Sequence, residues 1–475
     1  MGALSAFIRV HRRAVLFLLV ATPAFAASCE SLATLKLPAT TITEARVVTD
    51  YCKVAATLRP SADSDIKIEV WLPTSGWNGK YQAVGNGGWS GAIVTPALAK
   101  AVRDGYAASS TDTGHSGGSA SFALGHPEKL IDYAYRSEHE MTVKSKAIIE
   151  AFYGKAPRHS YWSGCSAGGK QALKEAQRYP EDFDGIVAGS PGLDWVARAT
   201  LSIWVAQAVH KNMDSYIPAT KYATIHRAVL DACDAADGLK DGVIEDPTRC
   251  DFDPKVIECP GADTPECLTA PQVEAARKIY SGPGKGIAPG LARGSELGWR
   301  TFAGPQPFQI GFDYFKYVVF ENPDWDFQTL NFDSDIVRAR KLDADRINAE
   351  DPNLTAFRKH GGKLIQYHGW SDPQIPPQSS VDYYQSVLKT MGASVPEFYR
   401  LFMVPGMAHC GGGDGVNTFD MVAALEQWVE HKKLPSQVIA SGKNRTRPLC
   451  PFPQVARYKG TGNPDEASSF NCAAH

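Results

Sequence analysis

The chain has 475 residues, 44% of them hydrophobic and 21% charged, an ordinary globular composition that excludes a disordered chain. Lys and Arg number 49 against 51 Asp and Glu, a formal net charge of -2, so no basic excess points to nucleic acid or to an anionic membrane surface. What remains is a globular enzyme or binding protein built as one large domain or two ordinary ones.

Residues 1–26 read as a secretory signal peptide. Arg9, Arg12 and Arg13 precede an apolar run over 14–20, and Ala24-Phe25-Ala26 fits the small-x-small cleavage rule. The pattern predicts cleavage near Ala26 and a secreted or periplasmic protein. The apolar run is far shorter than the ~20 residues that span a bilayer, and no later stretch qualifies. Ten cysteines, all beyond residue 26, agree with an oxidising compartment and predict five disulfides. Nearest-neighbour pairing suggests Cys29–Cys52, Cys233–Cys250, Cys259–Cys267 and Cys450–Cys472, which leaves Cys165 and Cys410 to each other. Counting alone leaves other connectivities open. A zinc site is the competing use of these cysteines, but no CxxC pair exists.

Downstream, 66–71 alternates apolar and polar residues as a half-buried strand does, and 81–84 is a second strand ending in Gly85-Asn86-Gly87-Gly88. Residues 142–153 are predicted helical, 161–163 a strand entering a glycine-rich turn, and 171–178 a helix. Strands follow at 186–188, 364–367 and 398–404, and a helix at 422–431 closes the set. Short apolar strands alternating with helices indicate an α/β domain with a largely parallel sheet. Over 194–360 the character changes: four cysteines, Pro/Gly-rich loops around 281–307 and many aromatics over 299–327. This stretch reads as an inserted lid domain dividing a core of 27–193 and 361–475.

The sharpest local signal is Gly164-Cys165-Ser166-Ala167-Gly168. A G-x-S-x-G between a strand and a helix forms a crowded, strained turn that projects a nucleophilic serine. A serine hydroxyl needs a histidine to take its proton and a carboxylate to orient that histidine. In the order Ser, Asp, His, the candidates are Asp372, after the strand at 364–367, and His409, on the glycine-rich loop after the strand ending at Val404. His368 precedes Asp372 and breaks that order, so it is read as supporting the triad from behind or lining the site. Cys165 and Cys410 each adjoin a proposed catalytic residue. A disulfide between them would bring their Cα atoms to about 5.5–6 Å. For the oxyanion hole, the N–H of Ala167 and one from the early glycine loop, at Gly88, are expected.

In the insert, Asp234, Asp237 and Asp241 recur at intervals of 3 and 4 with two glycines. Hard oxygen donors on a tight loop suit Ca²⁺, with the Leu239 and Val243 carbonyls completing the set, in a structural role and away from the serine motif.

Together these marks resemble the tannase and fungal-type feruloyl esterase family, which includes bacterial mono(2-hydroxyethyl) terephthalate hydrolase. The Cys165-Ser166, Asp372 and His409-Cys410 set is the most specific of them. The resemblance implies an α/β-hydrolase fold with a large lid, the five disulfides above, a lid calcium ion and no organic cofactor. It further implies hydrolysis of esters of aromatic acids, of the kind carried on plant cell-wall polysaccharide or polyphenol, by a monomer or homodimer. Ile375 matches a family position that faces the substrate. Trp299, Phe312, Phe315 and Trp325 are candidates for stacking on the acyl ring, although aromatics of this kind are more often core. No arginine of the insert is assignable to a terephthalate carboxylate, which puts hydroxycinnamoyl esters ahead of terephthalate monoesters and gallate. A general carboxylesterase or peptidase, and a non-catalytic secreted binding protein on the same fold, are the competing classes.

Overall fold

The computed structural model describes residues 27–284 and 286–474, so the signal-peptide expectation over 1–26 falls outside the described residues. Strands β1 (Thr40–Val48), β2 (Tyr51–Leu58) and β3 (Ile66–Pro73) run antiparallel to one another. In β3 the alternate residues Ile66, Ile68, Val70 and Leu72 are buried, the period-two pattern of a sheet face packed on a core. Next come β4 (Lys80–Val84), β5 (Ala107–Thr111), β6 (His159–Cys165), β7 (Gly185–Gly189), β8 (Lys363–Gly369) and β9 (Tyr399–Val404). Among the described residues these nine strands make one sheet in the order β1-β2-β3-β5-β4-β6-β7-β8-β9. From β5 to β9 every pairing is parallel.

Strand β5 was not foreseen. Its sequence Ala-Ala-Ser-Ser-Thr has neither alternation nor apolar bulk, yet it is buried throughout between β3 and β4. Small residues suffice there because helices Thr95–Arg103 and Ser137–Tyr153 pack directly against it. Helices Ala167–Arg178 and Met421–His431 pack against β7, the latter also against β8. A parallel sheet covered on both faces, crossing over at β5/β4 and carrying its connections at strand ends, is the α/β-hydrolase fold.

Residues 190–362 leave the sheet between β7 and β8. Helices Trp195–Val209, Tyr222–Cys233 and Ala270–Ser281 enclose a core of their own that includes Leu201, Val205, Ile225, Val229, Ile279, Trp299 and Phe302. Toward the end of the segment, Ala349, Leu354 and Phe357 return to the core under the sheet. After β9, hairpins β10 (Val438–Gly442) with β11 (Arg445–Leu449) and β12 (Gln454–Tyr458) with β13 (Phe470–Ala474) complete the chain. All five expected disulfides form, with Cα–Cα distances from 5.0 to 6.1 Å, inside the range a disulfide accepts. No helix among the described residues is long and apolar enough to cross a membrane.

Candidate active site

Strand β6 ends at Cys165 and a helix begins at Ala167, leaving Ser166 alone in the turn at φ 64° and ψ -120°. A non-glycine residue in this region is strained by about 1–3 kcal/mol and persists only where its surroundings hold it. Here the Ser166 N–H donates to Gly189 O at 2.9 Å, and Ser166 O accepts from Lys170 N at 3.0 Å and Gly192 N at 3.2 Å. Glycine lets the neighbouring loop close on this turn. A Cβ on Gly85 would lie 2.5 Å from Gly168 Cα, and Gly168 N–H donates to Asn86 O at 2.7 Å.

Asp372 and His409 meet on the loops that follow β8 and β9. His409 Nδ1 lies 2.7 Å from Asp372 Oδ2, while Oδ1 accepts from Gln374 N at 2.8 Å and Ile375 N at 3.0 Å. Asp372 is fully buried. Burial alone would push its carboxyl up, but His409 and His368 outweigh that and hold it well below the ordinary carboxylate range. The buried His368 places Nε2 3.2 Å from Asp372 Oδ2 and 3.1 Å from Ile375 O. Facing two acceptors, that nitrogen carries the proton, and the Ser380 hydroxyl donates to Nδ1 at 2.6 Å. His368 thus supports the aspartate rather than facing a substrate. The Cys165–Cys410 bridge, Cα–Cα 6.1 Å, ties the serine turn to the histidine loop.

The glycine loop after β4 runs beside the serine turn. Ala167 opens its helix, so its N–H has no acceptor one turn back. Gly88 has φ 50°, and the Tyr133 hydroxyl donates to its carbonyl at 2.6 Å. Gln171, on the helix after Ser166, accepts from Asn86 N at 2.9 Å, and Asn86 in turn donates to Ala92 O and Thr111 O. None of these positioning groups was visible in the sequence, because each reaches the loop from a distant segment. Ile310 of the insert lies over Gly88, where an added Cβ would come 2.7 Å from its Cδ1.

Ile375 is buried and forms part of the wall of a cavity of about 670 Å³ between insert and core, with Leu193, Ala197, Arg198 and Ile287. Gly192, which binds Ser166 O, packs against Ile375, so this wall adjoins the serine turn. Arg198 is an insert arginine on this wall. It is 4% exposed, set between the rings of Trp195 and Phe308, and its Nε donates to Gln374 O at 3.2 Å. The four aromatics that were candidates for stacking pack as framework, the commoner use of such rings. Trp299 is buried beside Tyr280, and Phe315 and Trp325 belong to a cluster against which Phe312 packs. Their density in the sequence reflects a second core. Trp89 and Trp195, missed as single aromatics in unlike segments, join that cluster beside Ala167.

In the acidic loop, Asp234 accepts from Asp241 N at 3.2 Å and Gly242 N at 2.9 Å, and Asp237 accepts from Leu239 N at 2.8 Å. Asp241 Oδ2 accepts from Arg445 at 3.0 Å and Arg447 at 2.7 Å. The donor chemistry suits calcium, and the charges of Asp241 and Asp234 lie near enough to add to the burial that raises the Asp237 carboxyl. Among the described residues no group of three or more His, Cys, Asp or Glu is positioned to hold a metal ion.

Residues 52–473 match the family described as tannase and feruloyl esterase. The chain belongs to this family. It is 36% identical to an uncharacterised esterase of Xanthomonas campestris pv. campestris, covering 96% of this chain and 92% of that one. It is 35% identical to a probable feruloyl esterase B-1 of Aspergillus flavus, over 89% and 86% of the two chains. The crystal structure of feruloyl esterase B from Aspergillus oryzae superposes with a TM-score of 0.88 at 29% identity, over 94% of this chain and 99% of that one. Membership and fold together make this chain a carboxylic ester hydrolase.

Proposed function

We propose that this family member is a secreted serine esterase acting on esters of aromatic, hydroxycinnamoyl-type acids through Ser166, His409 and Asp372. The observation that carries the reading is the 2.7 Å contact of His409 Nδ1 with buried Asp372, on a loop disulfide-bonded to the residue before Ser166. In this mechanism Ser166 Oγ attacks the ester carbonyl carbon while His409 Nε2 takes its proton, and Asp372 holds the imidazole by its other nitrogen. The N–H groups of Ala167 and Gly88 receive the oxyanion. Collapse breaks the ester C–O bond, and the departing alkoxide takes the proton from His409. Water then enters, gives a proton to His409 and attacks the acyl-enzyme. The free acid leaves as Ser166 regains its proton. The acyl ring would lie against Ile375, in a cavity of a size usual for small ligands.

Secretion is supported by the pattern over 1–26 and by ten cysteines paired in five disulfides. For the acidic loop we propose a structural calcium ion held by Asp234, Asp237, Asp241 and the Leu239 and Val243 carbonyls. Its support is the oxygen-rich donor set on a loop bracketed by the Cys233–Cys250 disulfide. Binding would require Asp241 to share its carboxylate with Arg445 and Arg447, and no catalytic step uses the ion.

The test is initial rates on methyl ferulate, methyl gallate and mono(2-hydroxyethyl) terephthalate, with Ser166→Ala as the blank. The fastest turnover on methyl ferulate is expected. Preference for either other ester would move the substrate and keep the mechanism, whereas wild type no faster than the blank on all three would overturn the reading.

A further inference from the structure

A second polar cluster lies where the insert meets both catalytic loops. Glu296, fully buried in the turn Glu296–Gly298, accepts from Gly294 N and the Tyr280 hydroxyl, both at 2.8 Å, through Oε1. Its Oε2 lies 2.8 Å from Nδ1 of His226, on the helix Tyr222–Cys233. The other ring nitrogen of His226 reaches out of the insert to Asp414 Oδ2 at 3.2 Å. Asp414 belongs to the loop that carries His409, where its N–H donates to Gly406 O at 2.9 Å and closes the loop.

The same turn rests on the aspartate loop. A Cβ on Gly298 would lie 2.4 Å from Pro373 Cγ, and one on Gly294 3.3 Å from Ser371 Oγ, so Asp372 is flanked by two residues the insert touches. One contiguous unit, Glu296 with His226, therefore bears on both loops that present the acid and base of the proposed triad.

We propose that His226 is a positioning residue for the proposed catalytic histidine: as an imidazolium shared between Glu296 and Asp414, it locks the insert onto the loop carrying His409. The inference rests on the reading of His409 as general base. Each ring nitrogen faces a carboxylate, and only the doubly protonated ring donates to both. Burial alone would lower the pKa of His226, but Asp414 and Glu296 overcome that and push it up to about 9. Asp414 is correspondingly lowered, first by His226 and also by Lys443 nearby. Tyr280, with Arg293 over its ring, completes the charged and titratable surroundings. Because the histidine's pKa is raised above its ordinary 6.5, its contribution is complete below that value and is lost as pH rises through about 9. Deprotonation would leave Glu296 and Asp414 as an unbalanced pair and free the loop.

The experiment compares wild type, His226→Gln and Asp414→Asn by kcat and KM on methyl ferulate between about pH 7 and about pH 10, and by amide hydrogen exchange of 406–415. Both variants are expected to lose roughly 10-fold in kcat with KM changed less than about 2-fold, since misplacing a catalytic group acts mainly on turnover. Both should abolish the alkaline inflection near pH 9 and speed exchange in the loop. Wild-type kcat, inflection and exchange in the variants would overturn the proposal, and so would a lower melting temperature with all three unchanged. His409→Ala separates the two claims. Activity in that variant would sink the triad reading, while the exchange of 406–415 would still decide whether His226 holds the loop.

Discussion

Removing the Cys165–Cys410 bridge in a Cys165→Ala/Cys410→Ala double variant should impair turnover before it unfolds the protein. The bridge closes a sequence separation of 245 residues, for which loop entropy gives about 5.5 kcal/mol, and the two short disulfides inside the loop scarcely reduce a logarithm. Measured losses usually fall lower, at about 2–4 kcal/mol, because the unfolded chain keeps some structure. The native contacts of the sheet and the four remaining disulfides stand against that loss. Locally the balance differs. Ser166 at φ 64° and Cys410 at φ 61° both occupy left-handed backbone, strain of about 1–3 kcal/mol each that the bridge helps to maintain. Once it is gone, Cys410 and the neighbouring His409 can relax, and a displacement near 1 Å can lower turnover by up to roughly 100-fold. The assay is kcat on methyl ferulate well below the melting transition, with near-ultraviolet circular dichroism to show native packing. A folded variant with kcat within about 2-fold of wild type would refute the argument that this bridge sets the serine–histidine geometry.

Asp372→Asn should lower kcat by about 10⁴-fold, because the amide favours the wrong tautomer of His409; single-turnover kinetics would measure it. The same carboxyl, held below its ordinary 3.8, contributes stability that is complete above that value and is lost as pH falls below it. Asp372→Asn should therefore flatten the acid limb of a stability-against-pH curve. Gln171→Ala removes the acceptor for Asn86 N and should lower kcat by roughly 10- to 100-fold with little change in KM, read by steady-state kinetics. Chelation with EDTA should lower the melting temperature and leave the pH optimum in place; loss of turnover at saturating substrate with an unmoved melting temperature would rule out a structural ion.

Much of the site was legible because its signals are local. Ser166 stands between two glycines at a strand-to-helix junction, and the β6-to-helix transition falls at that residue. Asp372 and His409 follow apolar strands closely enough to be placed at strand ends, and β8 and β9 end at Gly369 and Val404. Strands β1, β2 and β5 carry weaker signals. In β5 alanine, serine and threonine become strand residues through pairing with partners, and in β1 and β2 polar and small residues dilute an alternation that burial makes plain only in the folded sheet, where Cys52, Val54, Ala56 and Leu58 face the core. The insert aromatics were ambiguous, since a dense run of rings marks either a binding surface or, more often, a core, and only packing separates the two.

By itself the sequence determined the α/β class, the serine turn, the order of the proposed triad and the five-disulfide count, all carried by short-range spacing or by counting. Tertiary structure alone decided what faces what. It placed His368 behind Asp372, set Arg198 between two rings, gave Asp241 to Arg445 and Arg447, and joined His226 to Asp414 across the seam between insert and core. Those contacts link residues up to about 200 positions apart, and no local pattern of hydrophobicity or charge encodes which distant partner a buried polar group will find.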